Sequence, residues 1–187
     1  TAGGRDVEIT GPYGWKLDVA GEVAALTQLI QAGLGEGEQD REPVYAATAA
    51  SRSLPDWGNT YVEIDLTGQH VYMFQEGNLV WEAPCVTGNI AKNYNTPAGI
   101  YSLTYKEMDR ILRGAKKADG TYEYESHVDY WMPFNGGIGF HDADWQPYFG
   151  GDRYLTGGSH GCINMPPDKA GELYNIIQYN VPIVCFY

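Results

Sequence analysis

From Thr60 onward the chain alternates. Tyr61-Val62-Glu63-Ile64-Asp65-Leu66 sets apolar and acidic residues in turn, which is the period-two pattern of a half-buried strand. Such a segment leaves little freedom: it must join a sheet, and the sheet must bury its apolar face. Thr67-Gly68-Gln69 is a turn, His70 to Phe74 a second strand, Glu76-Gly77-Asn78 a second turn and Leu79 to Thr87 a third strand, the spacing of a β-meander. Thr96-Pro97-Ala98-Gly99 then turns the chain into a strand from Ile100 to Tyr105. Further strands are expected at His127 to Phe134, at a separate segment closed by Gly139-Phe140-His141, and at Val181 to Tyr187. A helix is expected over Pro167 to Tyr179, where Ala170, Leu173, Ile176 and Ile177 repeat at helical spacing behind Asp168. Lys106 to Glu125 is polar and charged and reads as a lid or inserted flap. Glycine, at 24 residues, fits many turns and short strands. The expected class is mainly β.

Residues 1–58 read differently. Apolar positions Val23, Leu26 and Ile30 give helical spacing over 21–32, and Gly33 stops it. A polar break over 35–42 follows, then an extended arm from Pro43 to Ser53, and Pro55-Asp56-Trp57-Gly58 marks a boundary. One helix and an arm make no core of their own, so this small α+β fragment is expected to be the tail of an upstream domain. The chain begins at Thr1 without Met, and a targeting or anchoring segment upstream is expected. The net charge of −12 argues against nucleic acid as partner, because phosphate neutralisation needs clustered cations. The densest basic group, Arg110, Arg113, Lys116 and Lys117, is interleaved with Glu107, Asp109 and Asp119 and reads as a solvated face. Three cysteines are too few for a disulfide scaffold. Cys85 and Cys185 lie in apolar strand-like runs and read as buried free thiols, with a disulfide between them as the alternative.

The chemistry concentrates in Gly158-Ser159-His160-Gly161-Cys162-Ile163-Asn164-Met165. Gly161 lets the backbone bend so that neighbouring N–H groups converge, which suits a developing oxyanion. A thiol becomes a nucleophile when an imidazole takes its proton. Of the four histidines, His160 is two positions from Cys162 and badly placed if both sit on one strand. His141 ends a separate strand and is able to face the cysteine across a sheet. Two competing readings are an inert buried thiol and a zinc site of His141, His160 and Cys162 in the manner of a nucleotide deaminase. The second expects His-x-Glu and Cys-x-x-Cys, whereas Ala143 stands two after His141 and no Cys-x-x-Cys exists. No metal and no cofactor are expected.

These residues resemble the L,D-transpeptidases of peptidoglycan synthesis, with the YkuD-type catalytic domain. The family pattern is a histidine, an interval (142–158 here), and Ser/Thr-His-Gly-Cys, an apolar residue and Asn or Arg, which Ser159 to Asn164 match. Thr96-Pro97-Ala98-Gly99-Ile100-Tyr101 is similar to a second family segment. The resemblance runs from about residue 60 to the end. Residues 10–53 resemble more weakly the end of a peptidoglycan-binding module, through Tyr13-Gly14-Trp15 and Arg41 to Tyr45.

The resemblance implies a two-sheet β-sandwich-like domain over 59–187 with one or two helices and a lid at about 106–134. It implies Cys162 as nucleophile and His141 as its base, oriented by the Asp142 carbonyl or the Ser159 side chain. His160, Gly161 and Cys162 would give oxyanion-hole N–H groups. Trp145 and Asn164 would contact substrate, and Tyr130 and Trp131 either line the cleft or belong to the core. The implied partners are peptidoglycan stem peptides, a donor tetrapeptide and an acceptor, with carbapenem-type β-lactams as covalent inhibitors. The implied location is extracytoplasmic, at the cell wall, with the membrane reached only through an N-terminal anchor outside this sequence. The reaction implied is 3→3 cross-linking through a thioester. An L,D-carboxypeptidase and a non-catalytic wall-binding module are the alternatives.

Overall fold

A computed structural model describes residues 1–33 and 40–187; most of the polar break expected at 35–42 lies outside the described residues. Contacts divide the chain into two compact units, residues 12–58 and residues 1–11 with 59–187.

In the smaller unit, strand β1 (Lys16–Leu17) pairs antiparallel with β2 (Tyr45–Ala47). Helix α1 (Val19–Gln31) begins two residues earlier than the apolar spacing suggests, because the Asp18 carboxylate caps it by accepting from Gly21 N–H at 3.0 Å. Glu22 in its first turn holds Arg41 and the Val44 N–H, which ties the arm to the helix. Trp15 and Tyr45 pack edge to face, and Arg52 lies over the Trp15 ring at 4.2 Å.

The larger unit holds two sheets. Strands β3 (Tyr61–Asp65), β4 (His70–Gln75) and β5 (Asn78–Pro84) form the expected meander, extended by β6 (Gly99–Ser102) and the terminal β11 (Pro182–Phe186) in the order β5-β4-β3-β11-β6. The second sheet runs β10-β9-β8-β7, from β7 (Glu107–Arg113), β8 (Glu125–Asn135), β9 (Ile138–Asp142) and β10 (Ile163–Met165). All pairings are antiparallel except β11 with β3 and β10 with β9. Helices α2 (Arg153–Gly157) and α3 (Pro167–Ile176) complete the chain order. The first eleven residues join this unit through Ala2 N–H to Glu63 and Arg5 to Asp65.

One core fills the space between the sheets. Val62, Ile64, Val71 and Met73 meet Met132, Phe140, Ile163 and Met165, and Ala170 and Leu173 of α3 pack beside them. The chain is mainly β, as the alternation implies. Phe140 is fully buried and packs on Phe134 with ring centroids 5.1 Å apart. Phe140→Ala should cost about 3–5 kcal/mol of stability, read as a fall in the urea midpoint with unchanged slope.

Three elements depart from the sequence expectation. The third strand ends at Pro84, which has no N–H to give to a ladder. Val86 and Gly88 then bridge to Asn164 and Ser159. The polar stretch expected as a flap is an antiparallel hairpin of β7 and β8. The last helix stops at Ile176 rather than Tyr179, with Ile177 extended and Asn180 at a φ of 62°.

Candidate active site

The register of the second sheet assembles the site. In β10 and β9, Asn164 lies opposite His141, and in β8 Trp131 lies opposite the same histidine. Side chains alternate between faces along a strand. Cys162, two before Asn164, therefore joins Asn164, His141 and Trp131 on the face away from the core. Met132, Phe140 and Ile163, also in register, occupy the core face.

The turn before Cys162 is bound on every side. Ser159 donates through Oγ to the Cys162 carbonyl at 2.6 Å and accepts from Gly161 N–H at 2.9 Å. Asn89 N–H donates to the Ser159 carbonyl, and Ser159 N–H donates to Thr87 O. Thr96, buried, donates to the Gly161 carbonyl at 2.7 Å and accepts from Gly88 N–H. The Thr-Pro-x-Gly segment is therefore a clamp on this turn, a role its sequence did not disclose. Gly161 has a φ of 117°, a backbone conformation that side-chain-bearing residues rarely adopt.

Each candidate residue has a definite place. His141 is 4% exposed, and its Nδ1 faces the Asp142 carbonyl at 2.7 Å. That acceptor places the proton on Nδ1 and leaves Nε2 as the basic nitrogen. Of the two orienting partners expected, the Asp142 carbonyl is the one within hydrogen-bond distance of His141, while the Ser159 hydroxyl is bonded within the turn. The Asp142 carboxylate points elsewhere, accepting from Tyr130 N–H at 2.8 Å on the core side. Trp131 and Trp145 flank the imidazole with centroids 6.1 and 5.8 Å away. Burial lowers the His141 pKa, with the Asp142 carbonyl acting in the opposite sense.

Cys162 is 9% exposed, and its thiol donates to Gly137 O at 3.4 Å. Burial pushes the thiol up to about 11, against a main-chain hydrogen bond from Gly139. Burial thus acts on both groups toward their neutral forms.

Gly161 is corrected as an oxyanion donor, because its N–H is already given to Ser159 Oγ. The N–H groups of Cys162 and His160 have no hydrogen-bond partner among the described residues. His160 lies between the tilted rings of Tyr94 and Tyr124, with centroids 4.3 and 4.7 Å away, so its ring couples the turn to the hairpin. Tyr130 is corrected as a cleft residue: its ring lies against Gly171 and Tyr174 of α3, on the opposite side of β8 from Trp131.

Two cavities meet at Cys162. One, of about 270 Å³, is lined by His141, Trp145, Asn164, Gln146 and Arg153 among others. The other, of about 340 Å³, is lined by Trp131, Tyr105, Arg110, Arg113, Gly136 and Gly137 among others. Leu112 and Tyr124 of the hairpin border both. Asn164 lines this first cavity, and its Oδ1 is buried and has no hydrogen-bond partner among the described residues. Gln146, Arg153, Leu112 and Tyr124 carried no sequence signal, because they sit outside the motif, on a loop, the short helix α2 and a solvent-facing hairpin. No group of three or more His, Cys, Asp or Glu placed to hold a metal ion occurs among the described residues.

The model of the YkuD L,D-transpeptidase catalytic domain matches residues 59–185. The chain belongs to this L,D-transpeptidase family. The Enterococcus faecium L,D-transpeptidase, solved as a cysteine-to-serine mutant, is 38% identical over 95% of this chain and 68% of that one, with a TM-score of 0.78. The avibactam carbamoyl enzyme of Ldtfm is 38% identical over 95% of this chain and 67% of that one, with a TM-score of 0.79. The catalytic domain of the E. faecium enzyme acylated by ertapenem is 43% identical over 68% of this chain and 97% of that one, with a TM-score of 0.59. A search of curated proteins gave no match. Among the described residues of this L,D-transpeptidase no helix is long and apolar enough to cross a membrane.

Proposed function

We propose that this L,D-transpeptidase forms 3→3 cross-links in peptidoglycan through a thioester on Cys162. The observation that carries this reading is one thiol on the same sheet face as a buried imidazole and at the junction of two cavities. A transfer reaction needs two substrate sites that reach one nucleophile, whereas hydrolysis needs one.

The donor tetrapeptide occupies the first cavity. His141 Nε2 takes the thiol proton as Sγ attacks the carbonyl of the third stem residue, forming the C–S bond. The developing oxyanion is held by the N–H groups of Cys162 and His160. The C–N bond to D-Ala breaks, and His141 gives its proton to the leaving amine. The acceptor amine then enters through the second cavity, attacks the thioester and loses a proton to His141. The C–S bond breaks and the thiol is restored. Asn164, which lines the first cavity, contacts the donor peptide. The acylation of a relative by ertapenem supports carbapenems as covalent inhibitors. Peptidoglycan as substrate supports an extracytoplasmic location. The 12–58 unit is proposed as the end of a peptidoglycan-binding module.

Product analysis tests the reaction. With a tetrapeptide donor and an acceptor amine, D-Ala release should be accompanied by a cross-linked peptide. Tripeptide as the sole product, at any acceptor concentration, would make the enzyme an L,D-carboxypeptidase.

A further inference from the structure

In a protein with 24 acidic and 12 basic residues, a cation has carboxylates at hand. Five of the six arginines have one: Arg5 pairs with Asp65, Arg41 with Glu22, Arg52 with Glu42, Arg110 with Glu107 and Arg113 with Glu125. Arg153 has no acidic partner among the described residues. Its neighbour Asp152 instead accepts from the Tyr148 hydroxyl. Arg153 is half-buried and lines the first cavity beside Cys162 and His141.

The guanidinium is held in place by neutral groups. Nε donates to Gln146 Oε1 at 3.0 Å, and Gln146 Nε2 donates in turn to the Gly157 carbonyl at 3.2 Å. A Cβ on residue 157 would stand 1.8 Å from Nη1 and 2.0 Å from Cζ, so glycine at 157 makes room for the guanidinium. The four N–H bonds of Nη1 and Nη2 have no acceptor among the described residues. That free edge is the geometry that takes a carboxylate through two parallel hydrogen bonds. The second cavity offers no such site, because Arg110 and Arg113 are already neutralised by Glu107 and Glu125.

We propose that Arg153, positioned by Gln146 and Gly157, binds the terminal carboxylate of the donor peptide. The inference rests on the transpeptidase reading above. The scissile carbonyl is one residue from that carboxylate, so an ion pair at Arg153 fixes the leaving D-Ala and sets the reacting carbonyl against Sγ. It also selects donors ending in a free acid and assigns the first cavity to the donor.

The test is binding of tetrapeptides to the Cys162→Ala protein by calorimetry, which separates recognition from reaction. The free-acid peptide should bind at least about tenfold more tightly than the same peptide with a C-terminal carboxamide, and the difference should shrink with added salt. A second Arg153→Gln substitution should erase that difference by weakening the free acid alone. Gly157→Ala, which keeps the charge but displaces the guanidinium, should do the same. A peptide amidated at an internal carboxylate should bind like the parent. Equal weakening of acid and amide by Arg153→Gln, equal affinities in the Cys162→Ala protein, failure to bind either peptide, or a preference that follows the internal carboxylate would each overturn the assignment. Wild-type protein that binds with this preference but releases no D-Ala would sink the reaction and leave the subsite standing.

Discussion

Cys162→Ala should abolish turnover, by about 10⁴-fold or more, and should abolish the mass increase on incubation with a carbapenem. The expectation follows from where the three thiols lie. Cys85 and Cys185 are free and fully buried, and burial raises both well above the ordinary thiol range. Neither borders either cavity. Cys162 borders both. Removing it takes away the covalent route altogether, and the loss scales with the whole contribution of a nucleophile rather than with one hydrogen bond. The fold should be kept, because the substitution deletes one sulfur at the cavity floor while Ser159, Thr96 and Asn89 still bind the turn through main-chain atoms. Intact-mass spectrometry and far-UV circular dichroism on the same preparation check both halves. A carbapenem adduct persisting on the alanine protein, mapped to Cys85 or Cys185, would end the assignment of Cys162 as nucleophile.

The meander was legible because its strands are half-buried: Val62 and Ile64 face the core while the turns between strands carry glycine. The motif turn was legible because a serine, one histidine, a glycine of constrained φ and the cysteine stand within four residues. The hairpin of β7 and β8 was harder to read as strands. Met108, Ile111 and the charged residues between them are exposed, so the alternation that betrays a buried face is missing. Short α2 has no apolar period to reveal it, and with it Arg153 escaped notice. Tyr130 and Trp131 are adjacent aromatics, and composition alone does not say which face each takes. Register decides it: Trp131 pairs with His141 and shares its face, and Tyr130 is turned to α3. The fragment before residue 59 read as one segment, yet Ala2 and Arg5 bind β3. Such long-range contacts between single polar groups leave no periodic trace.

His141→Ala should lower the rate of acylation by about 10²-fold or more at neutral pH, and the pH profile should say why. Burial lowers the imidazole pKa and pushes the Cys162 thiol up to about 11, which favours the neutral form of each and a proton that moves during attack. The base form of His141 is present above its own lowered pKa. The wild-type acid limb should therefore lie below the ordinary imidazole value, with a plateau above it. Without His141 the only route to thiolate is loss of its proton to solvent, which becomes easier as pH rises toward the raised thiol value. The rate of the alanine protein should then climb about tenfold per pH unit through the alkaline range, closing on wild type. His160 provides the control. Its ring packs between the tilted rings of Tyr94 and Tyr124, so His160→Phe keeps a flat ring between them while removing any basic nitrogen. That protein should keep the wild-type pH profile, with its rate within a few-fold. Carbapenem acylation followed by stopped flow supplies all three profiles. A near-normal plateau in His141→Ala, with the plateau lost in His160→Phe, would transfer the base to His160 and would require that ring to leave its place between the tyrosines before the thiol reacts.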